Sequence, residues 1–282
     1  MKTREPQGGT LYLCATPIGN LGDITMRALE ILRTCDLIAA EDTRRTRRLL
    51  SHYDIHTPMA SYREENRDAA GSKIIACLER GQNVALVSDA GTPGISDPGQ
   101  DLVRRCLEAG IEVQAIPGAN AALTALVLSG LPTARFSFEG FLPRKKGTRR
   151  RALEQLSDDR RTIIFHESPQ RVAETLQDIV EVLGERRVAL ARELTKKFEE
   201  VIRGTAAEVR EKLEYGTVRG EVVLVVEGAS EQAPGDISCE EALEEVKRLR
   251  AEGASLKDAV GLVAGQSPGL SRSRLYNAAL KE

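Results

Sequence analysis

The sequence predicts two consecutive α/β domains followed by a small helical module, and three observations carry this prediction. Short apolar runs with the composition of buried strands alternate with helical stretches through residues 10–131 and again through 132–229. Loops of small residues follow several of these strands, as is typical of ligand-binding α/β proteins. Beyond the linker SEQAPGD at 230–236, the pattern of residues 237–282 is purely helical.

The individual elements follow from apolar runs, glycine stops and helix caps. Strands are predicted at 10–15, 37–40, 84–87, 112–116, 136–141, 162–165, 188–191, 198–204 and 221–227. Helices are predicted at 26–33, directly after 42–43, and at 68–80, 100–109, 121–129, 170–183, 206–213, 239–251, 256–263 and 272–280. The helix at 121–129 is so rich in Ala and Leu that we expect it to be buried. The strand at 198–204 is expected to be the hairpin partner of the strand before it.

The segment VALVSDAGTPGISDPG, residues 84–99, is the part of the chain that we expect to organise a ligand site. A buried strand at 84–87 gives way to small and turn-forming residues at 88–94. Asp97 is predicted to be the N-cap of the next helix, with Pro98 as its first residue. A tight turn that binds nothing needs only a few residues, whereas this loop uses about a dozen. We therefore favour a ligand loop over a plain turn.

Two further small-residue loops are predicted at the same sheet edge, because the carboxyl ends of parallel strands lie together. The first, TPIGNLGDIT at 16–25, contains two glycines but matches neither GxGxxG nor a Walker motif. Capping of the next helix by Asp23 or Thr25 explains much of its composition. The second loop is PGAN at 117–120. Together, the three loops predict a nucleotide-like ligand.

Composition and charge narrow the remaining function classes. The net charge of −2 leaves any attraction to nucleic acid to local patches. Aromatic residues make up only 4% of the chain, so stacking on aromatic side chains is not expected to dominate nucleic-acid binding. The five cysteines lack CxxC spacing, which predicts free thiols in a reducing compartment rather than a zinc site. Without a secretory signal or a membrane-length apolar run, we expect a cytoplasmic protein with no membrane partner.

Two runs of basic residues are the local patches that we expect to contact phosphates. One follows the acidic pair Glu41 and Asp42 at the end of the 37–40 strand, and the other follows the 136–141 strand. A solvated helix face is the alternative for either run, and helix capping is the alternative for Asp42. The predicted phosphate contacts are Arg44, Arg45, Arg47, Arg48, Arg144, Lys145, Lys146, Arg149, Arg150 and Arg151.

Two other features allow more than one interpretation. His166 stands at the end of the 162–165 strand and is a candidate base, although a packed or hydrogen-bonded histidine is the commoner finding there. The helical tail is compatible with a helix-turn-helix-like module, with Arg272 and Arg274 near the start of its last helix. A helical cap that binds nothing is an equal alternative for the tail.

Six motifs of the chain resemble those of the tetrapyrrole methylase superfamily. In order, they are ATPIGNLGDIT, AEDTR, VSDAGTPGISDPG, PGANAALTAL, FHESPQR and ARELTKKFEEVIRGT. The residues of these motifs are most similar to those of the ribosomal RNA small subunit methyltransferase I family. In particular, SDAGTPG stands at the position where tetrapyrrole enzymes carry a GDP-type loop. The resemblance covers residues 10–227, and the helical tail also fits that branch.

The resemblance implies a class III methyltransferase with two αβα domains, a donor-binding cleft between them and a homodimeric assembly. It implies methylation of a cytidine 2′-hydroxyl in small-subunit (16S) ribosomal RNA near the decoding centre, with S-adenosylmethionine as the donor. The partner would be ribosomal RNA or the small ribosomal subunit. The donor contacts that it implies are Pro17, Asp89, Ala90, Gly91, Thr92, Ile95, Asn120, Ala121, His166, Leu194 and Thr195.

A ribose hydroxyl is weakly acidic, so its methylation calls for a general base, which the sequence does not identify. The candidates are residues at strand ends: Asp42, Glu41, Glu193 and Lys196. Lys196 would have to be neutral to act in this way. Two other functions stay open at this point, a tetrapyrrole methylase and a non-catalytic RNA-binding protein that keeps S-adenosylmethionine as a structural ligand.

Overall fold

The protein is known from a computed structural model, which describes residues 8–214, 220–230, 239–266 and 272–280. The chain divides into two compact units, residues 1–121 and 122–282. The domain limits predicted from the sequence, at 10–131, 132–229 and 237–282, stay predictions. Within the described residues, no helix combines the length and the apolar character needed to cross a lipid bilayer.

The first unit is built on five parallel strands. They are β1 (Thr10–Cys14), β2 (Leu37–Ala40), β3 (Met59–Ser61), β4 (Val84–Val87) and β5 (Glu112–Ile116). Their order in the sheet is β3–β2–β4–β1–β5. Leu11 of β1 lies in register with Val84 on one side and Val113 on the other. Because β4, β1 and β5 are parallel neighbours, the loops that follow them leave the same edge of the sheet.

Helices cover both faces of this sheet. They are α1 (Met26–Thr34), α2 (Thr43–His52), α3 (Arg67–Glu79) and α4 (Gln100–Glu108). Successive side chains of a strand point to opposite faces. Ile38 and Ala40 therefore join a core with Leu32 of α1, whereas the intervening Ala39 joins a second core with Leu102 of α4. The predicted doubly wound sheet is confirmed.

In the first unit, one strand was missed in the sequence and the predicted start of one helix is wrong. The strand β3 was not predicted, because its three residues, Met59–Ser61, show no alternation of apolar and polar side chains. The helix α4 begins at Gln100 with Gly99 as its N-cap, and not at Asp97 and Pro98. Gly99 has φ of +148°, which other residues rarely adopt, and this turn separates the two predicted cap residues from the helix.

The helix α5 (Ala121–Ser129) matches its predicted limits, but its burial differs from the expectation. Ala122, Ala125 and Leu126 are buried, whereas Leu123 is 48% and Val127 is 74% exposed. A uniformly apolar helix has no periodicity that marks a solvent face, so its sequence cannot tell which side the rest of the unit covers.

The second unit contains five strands in a mixed sheet. They are β6 (Phe136–Phe141), β7 (Thr162–Glu167), β8 (Arg187–Arg192), β9 (Glu200–Thr205) and β10 (Val222–Val226). Their order is β6–β7–β10–β8–β9. Among these described strands the β6–β7 pair is parallel, and the other three pairs are antiparallel. The predicted hairpin of β8 and β9 is confirmed.

One face of the second sheet is covered by α6 (Lys146–Gln155), α7 (Val172–Leu183) and α8 (Ala206–Glu214). Phe165 of β7 and Leu224 of β10 pack there with Leu176 of α7. Residues of alternate register, Ile164 and Val223 among them, are also buried, so both faces of the central strands are covered. The runs of fully buried residues in these strands explain why the sequence shows continuous apolar segments rather than alternation.

Three helices form the tail. They are α9 (Cys239–Ala251), α10 (Leu256–Gln266) and α11 (Arg272–Ala279). Ala242, Val246, Val260, Val263 and Leu275 make a core of their own among these helices. The α11 helix also packs against α7 of the same unit. A nucleic-acid-binding role for the tail stays a prediction.

Candidate functional site

The three small-residue loops of the first unit meet as predicted. The backbone N–H of Thr16 donates to Gly91 O at 2.8 Å, and the N–H of Gly91 donates to Thr16 O at 3.0 Å. The hydroxyl of Thr92 donates to Ala119 O at 3.4 Å, which joins the central loop to the loop after β5. Because main-chain groups and one short hydroxyl side chain make these links, the loops approach one another more closely than bulky side chains would allow.

Two glycines show why small residues are needed at this edge. A Cβ atom on Gly118 would lie 2.8 Å from the Cβ of Ala15, a distance that real Cβ atoms essentially never show. Gly91 has φ of +81°, in the left-handed region that other residues adopt at a cost. The loops therefore depend on glycine at these points for their conformation.

A cavity of about 190 Å³ lies beside the joined loops. The loop after β1, the end of β4 and the α2 helix provide its lining residues: Thr16, Pro17, Gly19, Leu21, Arg45, Thr46, Arg48, Leu49, Ser88 and Asp89. Pro17 and Asp89 were predicted from the sequence as ligand contacts, so the structure brings both to one cavity. Arg45 and Arg48 were predicted only as phosphate contacts, and their position in the lining was missed.

Carboxylates link the ends of β2 and β4 beside this cavity. Glu41 Oε2 accepts a hydrogen bond from the N–H of Asp89 at 3.2 Å, and Asp89 Oδ1 accepts one from the N–H of Asp42 at 2.9 Å. Each loop thus supplies a carboxylate to a backbone donor of the other. The guanidinium of Arg45 lies 3.3 Å from Asp89 Oδ2. The arrangement holds the two strand ends in a fixed relation.

The three carboxylates differ in their electrostatics. Asp42 is the N-cap of α2, and its side chain accepts from the backbone N–H and the guanidinium of Arg44 at 2.9 Å each. These bonds hold the pKa of the Asp42 carboxyl far below its usual range. Burial raises the pKa of Glu41, and the hydrogen bond from Asp89 offsets this only in part. Of Glu41 and Asp42, Glu41 therefore accepts a proton more readily.

In the second unit, the predicted contact His166 lies in an aromatic cluster at the end of β7. Its ring centroid is 5.1 Å from that of Phe138, edge to face, and 5.5 Å from that of Phe141, stacked. Burial lowers the pKa of His166, so that its imidazole stays neutral at pH 7. The geometry favours a packed ring over a proton-transferring base.

The turn after β8 carries the remaining predicted contacts. Glu193 and Thr195 have φ of +52° and +67°, a conformation that non-glycine residues adopt at a cost of about 1–3 kcal/mol. Leu194 between them is buried. Lys196 donates to the Glu193 carboxylate at 2.8 Å. Backbone strain of this kind is concentrated at functional sites, which supports the predicted role of this turn.

Comparison with known proteins adds an independent observation. A family model described as "Tetrapyrrole (Corrin/Porphyrin) Methylases" matches residues 10–210, which is most of the chain. This chain belongs to the tetrapyrrole methylase family. The match covers the first sheet and the strands β6 to β9 of the second, and it includes the three loops and the turn after β8. The resemblance found in the sequence motifs is thereby confirmed.

Relatives of this methylase place it in a particular branch. A protein from Synechocystis sp. named ribosomal RNA small subunit methyltransferase I is 49% identical over 274 residues, covering 97% of this chain and 98% of the relative. One of the same name from Escherichia coli O157:H7 is 48% identical over 280 residues, covering 97% and 96%. A third, from Thermotoga maritima, is 49% identical over 220 residues, covering 78% of this chain and 99% of the relative. The methylase thus belongs to the ribosomal RNA small subunit methyltransferase I family.

Solved structures agree on the fold. A diphthine synthase matches with a TM-score of 0.61 at 12% identity, covering 79% of this chain and 91% of that one. A uroporphyrin-III C-methyl transferase from Thermus thermophilus, complexed with S-adenosyl homocysteine, matches with a TM-score of 0.55 at 17% identity, covering 78% and 97%. Identities this low show a shared fold and nothing more specific.

The structure corrects the prediction for two basic residues of the methylase. Arg149 is only 1% exposed, and its guanidinium bonds Asp178 at 2.7 Å. Arg150 bonds the other oxygen of Asp178 at 2.8 Å and also pairs with Glu181. Both were predicted as phosphate contacts, but helix phase turns them toward α7. Arg149 is too buried to contact RNA, whereas Arg150, whose side chain is 31% exposed, is paired within the fold and its phosphate contact stays a prediction.

The other predicted phosphate contacts are exposed. Arg144, Lys145, Lys146 and Arg151 of the second unit are at the surface. So are the four arginines of α2, of which Arg44 also pairs with Asp42 and Arg45 with Asp89. All four of these exposed residues lie in the first two turns of α2: Arg44, Arg45, Arg47 and Arg48. An exposed guanidinium keeps donors available for a phosphate even while it pairs with a carboxylate.

One buried charged group was missed in the sequence. Glu167 is 2% exposed at the end of β7. Its carboxylate accepts from the N–H of Ser168 at 2.7 Å, from the Thr175 hydroxyl at 2.7 Å and from Arg171 at 3.3 Å. The sequence contains one signal for this group of bonded side chains, the spacing of four residues between Glu167, Arg171 and Thr175. Thr175 and Arg171 thereby fix the turn that follows His166.

Proposed function

We propose that this chain methylates the 2′-oxygen of a cytidine in small-subunit ribosomal RNA near the decoding centre, using S-adenosylmethionine. The observation that carries the proposal is the 49% identity, along nearly the full length of both chains, to a relative named ribosomal RNA small subunit methyltransferase I. The coarser part, an S-adenosylmethionine-dependent methyltransferase, follows from the family itself. The choice of cytidine and of the ribose oxygen rests on the motif resemblance. Cytoplasmic location and a homodimer are proposed on the same ground.

The loop edge of the first unit fits the donor. S-adenosylmethionine supplies a methyl group on a positively charged sulfur, which becomes neutral when the methyl leaves. The cavity offers backbone groups of the joined loops and the carboxylate of Asp89. We assign donor binding here to Pro17, Asp89, Ala90, Gly91, Thr92, Ile95, Asn120 and Ala121. His166, Leu194 and Thr195 are assigned the same role from the second unit.

Glu41 is the strongest of the four candidate bases. The pKa of Asp42 is held low by Arg44, so its carboxylate is a poor proton acceptor. Lys196 and Glu193 form an ion pair at 2.8 Å in the turn after β8, so each of these two side chains is already engaged by the other. Glu41 has a pKa raised by burial and lies beside Asp89 at the cavity. A raised pKa brings a carboxylate closer to the range in which general bases work at neutral pH.

The remaining exposed cations are proposed to hold RNA phosphates. Displacement of a methyl group from sulfur requires the attacking oxygen to lie in line with the breaking bond. Phosphate contacts fix the RNA backbone without reading its sequence. We therefore assign positioning, rather than base recognition, to Arg44, Arg45, Arg47, Arg48, Arg144, Lys145, Lys146 and Arg151.

The decisive experiment is methyl transfer from labelled S-adenosylmethionine to small ribosomal subunits from a strain that lacks this protein. Subunits from the parent strain, which are already modified, are the matched control. We expect label at a single nucleotide, in a dinucleotide that resists alkaline hydrolysis, because a 2′-O-methyl group removes the attacking hydroxyl. Label released as a mononucleotide would place the methyl on a base and contradict the ribose assignment. No label despite donor binding would redirect the search to porphyrinoid acceptors.

A further inference from the structure

An irregularity in β6 brings two aromatic rings to one face. Phe138 pairs with Ile164 and Gly140 pairs with Phe165, so Glu139 is an extra residue in the strand. Gly140, at φ of +63°, allows this bulge. Residues three apart in a regular strand point to opposite faces. Because of the bulge, Phe138 and Phe141 both contact the ring of His166.

Phe141 is the exposed member of this aromatic cluster. Its ring stacks on His166 with an angle of 30° between the planes, yet the residue is 58% exposed. An apolar ring of this size gains stability from burial, so exposing it is costly unless a ligand covers it. His166, supported on its edge by Phe138, holds the Phe141 ring in one orientation. The result is a flat, rigid and solvent-facing aromatic surface.

The segment after Phe141 adds fixed positive charge. Arg171 donates to Leu142 O at 2.8 Å and to Pro143 O at 3.4 Å. The buried Arg149 donates to Arg144 O at 3.4 Å. Three consecutive carbonyls are thus held from inside the unit. The side chains that this anchored segment presents to solvent are those of Arg144, Lys145 and Lys146.

We propose that Phe141 stacks on an unpaired base of the RNA substrate while Arg144, Lys145 and Lys146 hold the adjoining phosphates. The inference rests on the proposed function and adds a base-contacting residue to it. Single-stranded nucleic acids are bound by this combination of an aromatic face and a cationic track. A stacked base contributes about tenfold to affinity, whatever its identity, because every base has a flat face. The bulge, the two anchoring arginines Arg149 and Arg171, and His166 pre-organise this surface.

The test compares two kinds of variant by the salt dependence of RNA binding. Phe141→Leu keeps an apolar side chain on His166 but removes the aromatic face, and Phe141→Trp restores it. Binding of a single-stranded decoding-region RNA fragment and KM for small subunits are measured from low to high salt. We expect Phe141→Leu to weaken RNA binding about tenfold with an unchanged salt slope, and Phe141→Trp to retain it. Lys145→Ala with Lys146→Ala should instead lower the slope by about 1.4, since each lost phosphate contact removes about 0.7.

Two controls distinguish base stacking by Phe141 from a role of this ring in donor binding or in folding. Affinity for S-adenosylhomocysteine and the melting temperature are measured for each variant. If Phe141→Leu weakens donor affinity and leaves RNA binding unchanged, the ring faces the donor and the proposal is wrong. If RNA binding and KM are both unchanged, the ring contacts neither ligand and the proposal is also wrong. Failure of the wild-type protein to methylate ribosomal RNA is a separate result, and it contradicts the proposed function rather than the stacking role.

Discussion

Two charged clusters, one in each unit, look alike in the sequence and differ in the structure. The Glu41 cluster comprises Glu41, Asp42, Arg44, Arg45 and Asp89, and it borders the cavity. The Asp178 cluster comprises Arg149, Arg150, Glu174, Asp178 and Glu181, and it joins α6 to α7. In each, a basic run at the start of a helix meets carboxylates.

The difference lies in how each carboxylate is compensated. Asp178 is 1% exposed, and two guanidiniums neutralise it, so its charge is used to hold the fold. Glu41 is half-buried, and this burial raises its pKa, while the hydrogen bond that it accepts from the backbone N–H of Asp89 offsets the rise only in part. Glu41 bonds the cavity-lining residue Asp89, and a carboxylate with a perturbed pKa beside a cavity is a candidate for chemistry. The sequence shows basic residues in both places, but only burial reveals which cluster is structural.

The largest expected effect is on stability, from Asp178→Asn. Removing the charge leaves Arg149 buried beside a neutral group, and breaking a buried ion pair in this way costs about 3–5 kcal/mol. Urea unfolding of the variant measures the loss. Glu174→Gln is the matched control, because Glu174 also pairs with Arg149 but is 71% exposed, and we expect little change from it. If Asp178→Asn and Glu174→Gln lose equal free energies of unfolding, the buried carboxylate of Asp178 has no special structural role and the proposed difference between the clusters is wrong.

The next largest effect is on catalysis, from Glu41→Gln. The amide still accepts the N–H of Asp89 but takes up no proton, and we expect the rate of methyl transfer to fall about a hundredfold. The wild-type rate should fall as the pH drops through the raised pKa of Glu41, since the base must be charged. The variant should lose this pH dependence. An unchanged rate would exclude Glu41 as the base.

Stability gives a second measure of the same residue. The folded pKa of Glu41 lies above the unfolded value, so its contribution is greatest below the unfolded pKa and is lost as the pH rises through the folded one. At pH 7 the charged Glu41 side chain therefore destabilises the folded state relative to a neutral side chain. We expect Glu41→Gln to be at least as stable as the wild type at pH 7, in contrast to Asp178→Asn. A large loss of stability would show that the carboxylate is structural.

A smaller effect is expected from the exposed arginines of α2. Arg44→Ala combined with Arg47→Ala should weaken RNA binding and lower its salt slope by about 1.4, with no change in donor affinity. Arg104→Ala is the control, because Arg104 is also exposed and ion-paired but lies outside both basic runs. A slope unaffected by the double variant, measured by titration of decoding-region RNA, would remove this run from the RNA interface.

The smallest effect concerns the cap of α2. Asp42→Asn should change the melting temperature little, because Asn caps a helix as well as Asp and the Arg44 side chain that pairs with it is 82% exposed. Asp42→Ala removes the cap and should lower the melting temperature. Methyl transfer should persist in Asp42→Asn. Loss of methyl transfer in that variant would instead point to Asp42 as the base.

The sequence by itself determined the elements and the family. The strands at Leu37–Ala40, Val84–Val87 and Glu112–Ile116 match their predicted limits, because a short apolar run between turn signals has few other ways to fold. The meeting of the three loops also followed from sequence, since parallel strands place their carboxyl ends together. The resemblance of six sequence motifs to those of a known family pointed to the methylases, and the comparison with known proteins confirmed it.

Only the tertiary structure decided which charged and aromatic side chains face inward. Arg149 and Lys146 belong to one helix and one basic run, but one is buried and the other is exposed, because helix rotation and the position of Asp178 select between them. Phe141 joins the ring of His166 through a bulge that leaves no clear mark in the sequence except Gly140. Burial and pairing depend on residues distant along the chain, and local patterns do not contain that information.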